Sequence, residues 1–359
     1  MTSTAAHHAP EFAIAGRAIG AHTPAYCIAE VGINHNGDLA QAKKLVDVAK
    51  RAGADAVKFQ TFKAEEFCGD ASQTYSYQSQ GQQVTESMLA MFKRLEFPVH
   101  QWAALKAHCD AVGIMFFSTP QNRGDLDLLM AIGTPAIKVG SDDFTNLPLL
   151  ADYSQTGLPL ILSCGMADLA EVQQALQAAG WFDGRPLVLL LCTSQYPTPP
   201  GDANLRKITT LRNAFPGLAV GFSDHTQGPQ AASLAVALGA RVFEKHFTLD
   251  KNAAGPDHWF SDDEAGLTAW VAAIRSADLL LGCPLVMPTA AEREMRKIAR
   301  RSVVALRDIA EGERLDAGNV GLRRPGDGLA PAQFESVLGR LAVRPIARGA
   351  RVALQDLRG

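Results

Sequence analysis

From Tyr26 to Phe247 the chain repeats one unit: a short run rich in Val, Ile, Leu and Phe, then a longer stretch whose apolar residues recur every three or four positions. Runs of that kind are strands buried on both faces, and the stretches between them are amphipathic helices, so the pattern predicts β/α units around a parallel sheet. Eight runs qualify: Tyr26 to Ile33, Ala56 to Phe62, Ile114 to Thr119, Ala136 to Ser141, Leu160 to Cys164, Val188 to Thr193, Ala219 to Ser223 and Arg241 to Phe247. Leu39 to Arg51 typifies the helices. Eight parallel strands fit a closed α/β (β/α)8 TIM barrel, which usually takes about 250 residues. An open doubly wound sheet is the alternative, but it wants Gly-x-Gly-x-x-Gly after its first strand, and that motif is absent there.

A chain of 359 residues has room for a second domain. We expect a flexible segment over residues 1–20 (including His7 and His8), a barrel over 21–282, a linker over 283–300 and a small mostly-β module over 301–359 with Gly-rich turns. The polar insertion from Lys63 to Met91, rich in Gln, Ser and Tyr, reads as an irregular lid over the barrel mouth. A formal net charge of -3 gives no electrostatic footprint for nucleic acid or an anionic membrane, so any anion must be held locally. Six scattered cysteines without C-x-x-C read as reduced thiols; the start M-T-S-T-A-A-H-H-A-P lacks a basic n-region before an apolar h-region, and no apolar run reaches membrane length, so neither a signal peptide nor a membrane span is expected. Cytoplasmic residence is the expectation.

Active sites of barrels are built at the C-terminal ends of the strands. Here those ends carry Glu30, Lys58, Gln60, Ser118, Thr119, Lys138, Ser141, Asp143, Ser163, Ser194, Ser223, His225, Glu244, Lys245 and His246. A strand-end serine is ordinarily a turn residue, but two lysines in a barrel interior need an anion, since an unpaired buried ammonium costs several kcal/mol. Lys58 could find one in Glu30 or Asp55; with the hydroxyls alongside, a phosphate or a phosphate and carboxylate ligand is the other candidate. His225 and His246, on consecutive strands, could share one divalent metal, with Asp257 and Glu30 as supporting carboxylates.

The motifs A-E-V-G-I-N-H-N-G (29–37), K-F-Q-T (58–61), F-S-T-P (117–120), L-S-C-G-M (162–166), C-T-S-Q-Y-P (192–197), G-F-S-D-H-T (221–226), E-K-H-F-T-L-D (244–250), G-P-D-H (255–258) and R-R-P-G-D-G (323–328) stand in fixed order along nearly the whole chain. In these motifs the sequence resembles the N-acetylneuraminate (sialic acid) synthase family, with a terminal module like its SAF, or antifreeze-like, domain. The resemblance implies condensation of phosphoenolpyruvate with N-acetylmannosamine, or a related N-acylated aminosugar, to give a nine-carbon 2-keto acid. It implies Mn2+ or Mg2+ on His225 and His246. It implies phosphoenolpyruvate on Lys58, Thr119, Lys138, Ser141, Ser163, Ser194 and Ser223, and the sugar on Gln60, Asp143, Tyr196 and Asp257. Arg324 is implied to reach in from the other subunit of a domain-swapped homodimer. Glu30 and Asp143, with Lys58 and Lys138, are the candidate catalytic residues.

Two departures from the family pattern stand out. Asp142 replaces a common glycine before Asp143, and Leu191 replaces a common histidine, which we expect to alter packing and not the metal site. Legionaminate or pseudaminate synthesis from a diacetamido-trideoxy sugar is the alternative within the family, whereas a metal-dependent barrel isomerase or aldolase leaves the lysines unassigned. An ice-binding or carbohydrate-binding role for the terminal module is the non-enzymatic alternative. The sequence shows no cationic pocket for a sugar 6-phosphate, which favours an unphosphorylated sugar.

Overall fold

The computed structural model describes residues 12–20 and 23–359. His7 and His8 lie outside the described residues. The chain divides into two compact units between Gly282 and Cys283.

The first unit is the barrel. Its strands are β1 (Tyr26–Gly32), β2 (Ala56–Thr61), β3 (Met115–Pro120), β4 (Ile137–Val139), β5 (Leu160–Ser163), β6 (Leu187–Cys192), β7 (Ala219–Ser223) and β8 (Val242–His246). They are hydrogen-bonded in the order β3, β2, β1, β8, β7, β6, β5, β4. The first and last strands in sequence meet through a parallel register running from Val242 opposite Tyr26 to His246 opposite Glu30. β3 and β4 lie side by side without a registered ladder, so the barrel is near-closed. Helices α1 (Leu39–Arg51), α2 (Val99–Val112), α3 (Arg123–Ala131), α4 (Leu147–Ser154), α5 (Leu169–Ala178), α6 (Lys207–Ala214), α7 (Gln230–Ala237) and α8 (Glu264–Leu281) follow the strands in turn. Asp38 starts α1 by accepting from the amides of Ala40 and Gln41, at 2.6 and 3.1 Å.

Side chains alternate across each strand, so every strand feeds two cores. The residues facing the helices, among them Ala29, Val57, Phe116, Leu189, Leu191 and Phe243, pack with Leu45 of α1 and Trp270 of α8. Leu191 thus faces away from the barrel interior, as a packing residue. The inward residues Tyr26, Ile28, Ala56, Phe117, Ile161, Val188, Leu190 and Val242 fill the lower barrel. Each fully buried Leu, Ile or Phe stabilises the fold by roughly 1.5–3 kcal/mol.

Two sequence expectations need correction. Residues 12–19 are not a loose leader: Phe12–Ile14 and Arg17–Ile19 pair as an antiparallel hairpin whose Ile14 and Ile19 join the lower barrel core. Both side chains are buried against the inward residues at the N-terminal end of the barrel. Arg17 fixes the hairpin by pairing with Asp55, which also pairs with Arg275 and accepts from the Cys27 amide at 2.7 Å. Asp55 is therefore occupied at the far end of the barrel from the strand-end lysines. The insertion is also regular and not irregular. Thr74–Ser79 and Gln82–Ser87 form a hairpin turned at Gln80 and Gly81, both at positive φ, and Met88–Leu95 is helical. The turn conformation suits the twist of the strands.

The second unit holds short strands, Ser302–Ala305 with Val320–Arg323 and Leu341–Ala342 with Leu357–Arg358, preceded by a helix over Ala290–Ala299. It has its own apolar core, including Val303, Ile309, Leu315, Val337 and Val352.

Candidate active site

The alternation that buries the lower barrel turns polar at its upper end. Inward positions two residues beyond the apolar ones are Glu30 after Ile28, Lys58 after Ala56, Thr119 after Phe117, Lys138 after Ala136, Ser163 after Ile161 and Glu244 after Val242. Cys192 follows Leu190 in the same way on β6. These side chains floor a cavity of about 600 Å³ at the C-terminal mouth. Ser118 falls on the other face and pairs with Thr61 at 2.8 Å, outside the cavity wall.

Four buried charged groups interlock on this floor. Lys58 Nζ lies 2.7 Å from Glu30 and 3.8 Å from Glu244, and it donates to Thr119 Oγ1 at 3.2 Å. Lys138 Nζ lies 3.9 Å from the same Glu244 oxygen and donates to Ser163 Oγ and the Val139 carbonyl, both at 2.8 Å. Ser223 donates to Glu244 Oε1 at 3.1 Å, and Gln60 to Glu30 Oε1 at 3.3 Å. Of the two carboxylates the sequence offered Lys58, the structure brings Glu30 to it and not Asp55, and Glu244 faces both lysines.

Burial pushes the Glu30 carboxyl up to about 7 against the pull of Lys58, and the Glu244 charge adds to the rise. Burial also acts against Lys58, but Glu244 and Glu30 more than restore its charge and leave its pKa above the ordinary value. Lys138, buried with Lys58 as a like charge nearby, is lowered in spite of Glu244. A carboxyl near neutrality, Glu30, and a weakened ammonium, Lys138, share this floor, and their protons can shift when an anion enters.

His225 and His246 stand beside this floor with ring centroids 5.5 Å apart. His225 Nδ1 is 2.9 Å from the Thr193 carbonyl, so that nitrogen carries a proton and Nε2 is the atom left for a metal. His246 Nδ1 is buried without a hydrogen-bond partner, 3.9 Å from Asp257 Oδ2. Two imidazoles, one with an orphaned buried nitrogen, fit the nitrogen part of a divalent metal site. Among the described residues no group of three or more His, Cys, Asp or Glu is arranged to hold a metal, so further ligands would come from water or substrate. Burial raises the Asp257 carboxyl to about 6.

The rim carries Gln60, Ser141, Ser194, Tyr196 and Asp257. Tyr196 packs on His225 with ring centroids 4.1 Å apart. Gly165 donates its amide to Ser141 Oγ at 3.0 Å, and a Cβ there would collide with Ser194 Oγ and come within 2.6 Å of Ser141 Oγ. Glycine lets both hydroxyls reach one spot, and Ser194 Oγ is buried there without a partner.

Asp143 departs from its expected place. Its carboxylate accepts from Asn146 at 3.0 Å, at the start of α4, and the side chain lining the cavity is Asp142. The loop after β4 turns the second of the two carboxylates toward the helix it precedes. Arg324 belongs to the second unit, where it is exposed. The structure adds Cys192, which the sequence analysis took only as a scattered thiol but which strand parity marks, and Phe67, Tyr75 and Phe92 from the insertion, for which the strands carry no periodic signal.

A (β/α)8 barrel with an ionised, hydroxyl-rich floor at its C-terminal mouth defines a barrel enzyme. The NeuB family profile matches residues 45–284 and the SAF domain profile residues 300–358, and the chain belongs to the NeuB family. It is 40% identical over 324 residues to the N,N'-diacetyllegionaminic acid synthase of Legionella pneumophila, covering 89% of this chain and 91% of that one. It is 34% identical over 304 residues to human N-acetylneuraminate-9-phosphate synthase, covering 83% and 82%. The sialic acid synthetase of Leptospira borgpetersenii, solved in complex with citrate, superposes with a TM-score of 0.72 at 33% identity over 80% of this chain and 96% of that one. No described helix is long and apolar enough to cross a membrane.

Proposed function

We propose that this enzyme is a nonulosonic acid synthase that joins phosphoenolpyruvate to an N-acylated aminosugar aldehyde, N-acetylmannosamine or a diacetamido-trideoxy relative, with water, and releases phosphate. The observation carrying this reading is the pair of buried lysines, 3.8 and 3.9 Å from one Glu244 oxygen, in a cavity also lined by the hydroxyl residues Thr119, Ser141, Ser163, Ser194 and Ser223. Such donors suit a ligand bearing both phosphate and carboxylate.

Lys58 and Lys138 hold the anionic end, and the five hydroxyls orient its oxygens. C3 of the enol attacks the aldehyde carbon, forming the new C–C bond. The electron-poor C2 then takes water, and the C2–O bond breaks as phosphate leaves. Glu30 is the carboxylate we assign to this water, since it sits inside the lysine cluster and titrates near neutrality; Asp143 faces Asn146 instead. His225 and His246 would hold Mn2+ or Mg2+, which as a Lewis acid favours charge developing on the aldehyde oxygen. Gln60, Tyr196 and Asp257 position the sugar. We further propose a domain-swapped homodimer in which Arg324 of one protomer completes the sugar site of its partner.

The test is inorganic phosphate release from phosphoenolpyruvate with a panel of aminosugars and manganese. Release that depends on an unphosphorylated N-acylated sugar supports the synthase. No release with any sugar points to the isomerase or aldolase chemistry that the lysines disfavour. Manganese activation is expected to vanish in His225→Ala and in His246→Ala, and wild-type activation in either removes that residue as a ligand.

A further inference from the structure

The mouth of the cavity differs in chemistry from its floor. Between β2 and α2 the chain inserts a short helix over Ala64–Phe67, the Thr74–Ser87 hairpin and the Met88–Leu95 helix. Phe62, Phe67 and Phe92 meet as a ring cluster with centroids 4.9 to 6.2 Å apart, and Tyr75 stacks on Tyr77 at 6.0 Å. All of these line the same cavity as the floor residues, together with Met88. The hairpin is held over the mouth by Gly255, whose amide donates to Ser79 at 3.2 Å, and by Gln80, which donates to the Asn252 carbonyl at 3.2 Å.

The cationic side chains around this apolar wall are taken up by carboxylates of the same segment. Lys63, Lys93 and Arg94 of the insertion are paired with Glu96, Glu65 and Glu86 respectively. Among the described residues lining the cavity the lysines are Lys58 and Lys138, both on the floor and both facing Glu244. The rim itself bears the carboxylates of Asp142 and Asp257.

We propose that the insertion builds an apolar subsite, walled by Phe62, Phe67, Tyr75, Met88 and Phe92, that seats a methyl-bearing end of the aminosugar and rejects a phosphorylated one. This rests on the synthase reading above and narrows its sugar. The methyl comes either from a 6-deoxy carbon or from the N-acyl group; apolar seating is the chemistry shared by both.

The experiment compares kcat/KM for four N-acylated aminosugars at saturating phosphoenolpyruvate: the 6-deoxy sugar, its 6-hydroxyl and 6-phosphate counterparts, and an N-hydroxyacetyl analogue. A methyl against a hydroxyl-bearing group in an apolar pocket is worth about tenfold or more. We expect a loss of about that size on adding the hydroxyl at whichever end seats in the subsite, and no turnover of the 6-phosphate. Phe67→Ala and Tyr75→Ala are expected to raise the sugar KM about tenfold, leave the phosphoenolpyruvate KM unchanged and erase the methyl preference, while Phe67→Leu keeps it. Use of the 6-phosphate as well as the parent sugar overturns the subsite while leaving the synthase intact, as does a loss in the alanine variants that is equal for all sugars and extends to phosphoenolpyruvate. Absence of phosphate release with every sugar overturns both readings together.

Discussion

Glu30 concentrates the chemistry of the floor in one side chain. Its carboxyl is raised from an ordinary 4.5 to about 7. Between those values the native state binds a proton that the unfolded chain does not, so the stability Glu30 contributes is full below 4.5 and lost as pH rises through about 7. Glu30→Gln is therefore expected to flatten the fall in denaturation midpoint across that window, measured against wild type. The same variant should lose about 10²-fold in kcat and the limb near neutrality in its pH profile. Lys58→Met is expected to raise the KM for phosphoenolpyruvate by roughly 10–100-fold, the scale of a lost hydrogen bond to a charged group. Gly165→Ala tests a different residue property, the shared approach of Ser141 and Ser194. A Cβ there collides with Ser194, so turnover should fall by about 10²-fold through misplacement while the circular dichroism spectrum stays unchanged.

At the scale of elements, strand parity explains most of what the sequence revealed. An apolar inward residue followed two positions later by a polar one marks Glu30, Lys58, Thr119, Lys138 and Ser163 as floor residues, with no structure needed to choose the face. Parity applied to β8 also selects Glu244 and rejects Lys245, which instead donates to the Thr226 carbonyl at 2.6 Å. Loops carry no such rule, and the reversal of Asp142 and Asp143 depended on how the loop after β4 enters α4. The N-terminal hairpin escaped because strands of three residues are too short to show a period, although Ile14 is fully buried. Ile14→Ala is expected to cost about 2–5 kcal/mol in chemical denaturation of the barrel transition. A change within a few tenths of wild type would mean the hairpin does not close the barrel floor.

At the scale of the whole molecule, each unit has an apolar core of its own. Removing residues 302–359 should therefore leave the barrel folded. The domain-swapped assembly we propose places Arg324 in the partner's sugar site, so that truncation, and Arg324→Ala in the full chain, should nearly abolish synthesis. Unchanged turnover in both variants would remove the second unit from the reaction.

The mechanism we propose has the floor hold phosphoenolpyruvate so that water reaches C2 and the bridging oxygen departs with phosphorus. The most direct test is to run the reaction in H2(18)O with manganese and an unphosphorylated N-acylated aminosugar, and to read the isotopic content of the released phosphate by mass spectrometry. Sugar-dependent release of phosphate free of heavy oxygen is the expected result. Phosphate carrying one heavy oxygen, or released at the same rate without sugar, would contradict the assignment of this barrel as a synthase.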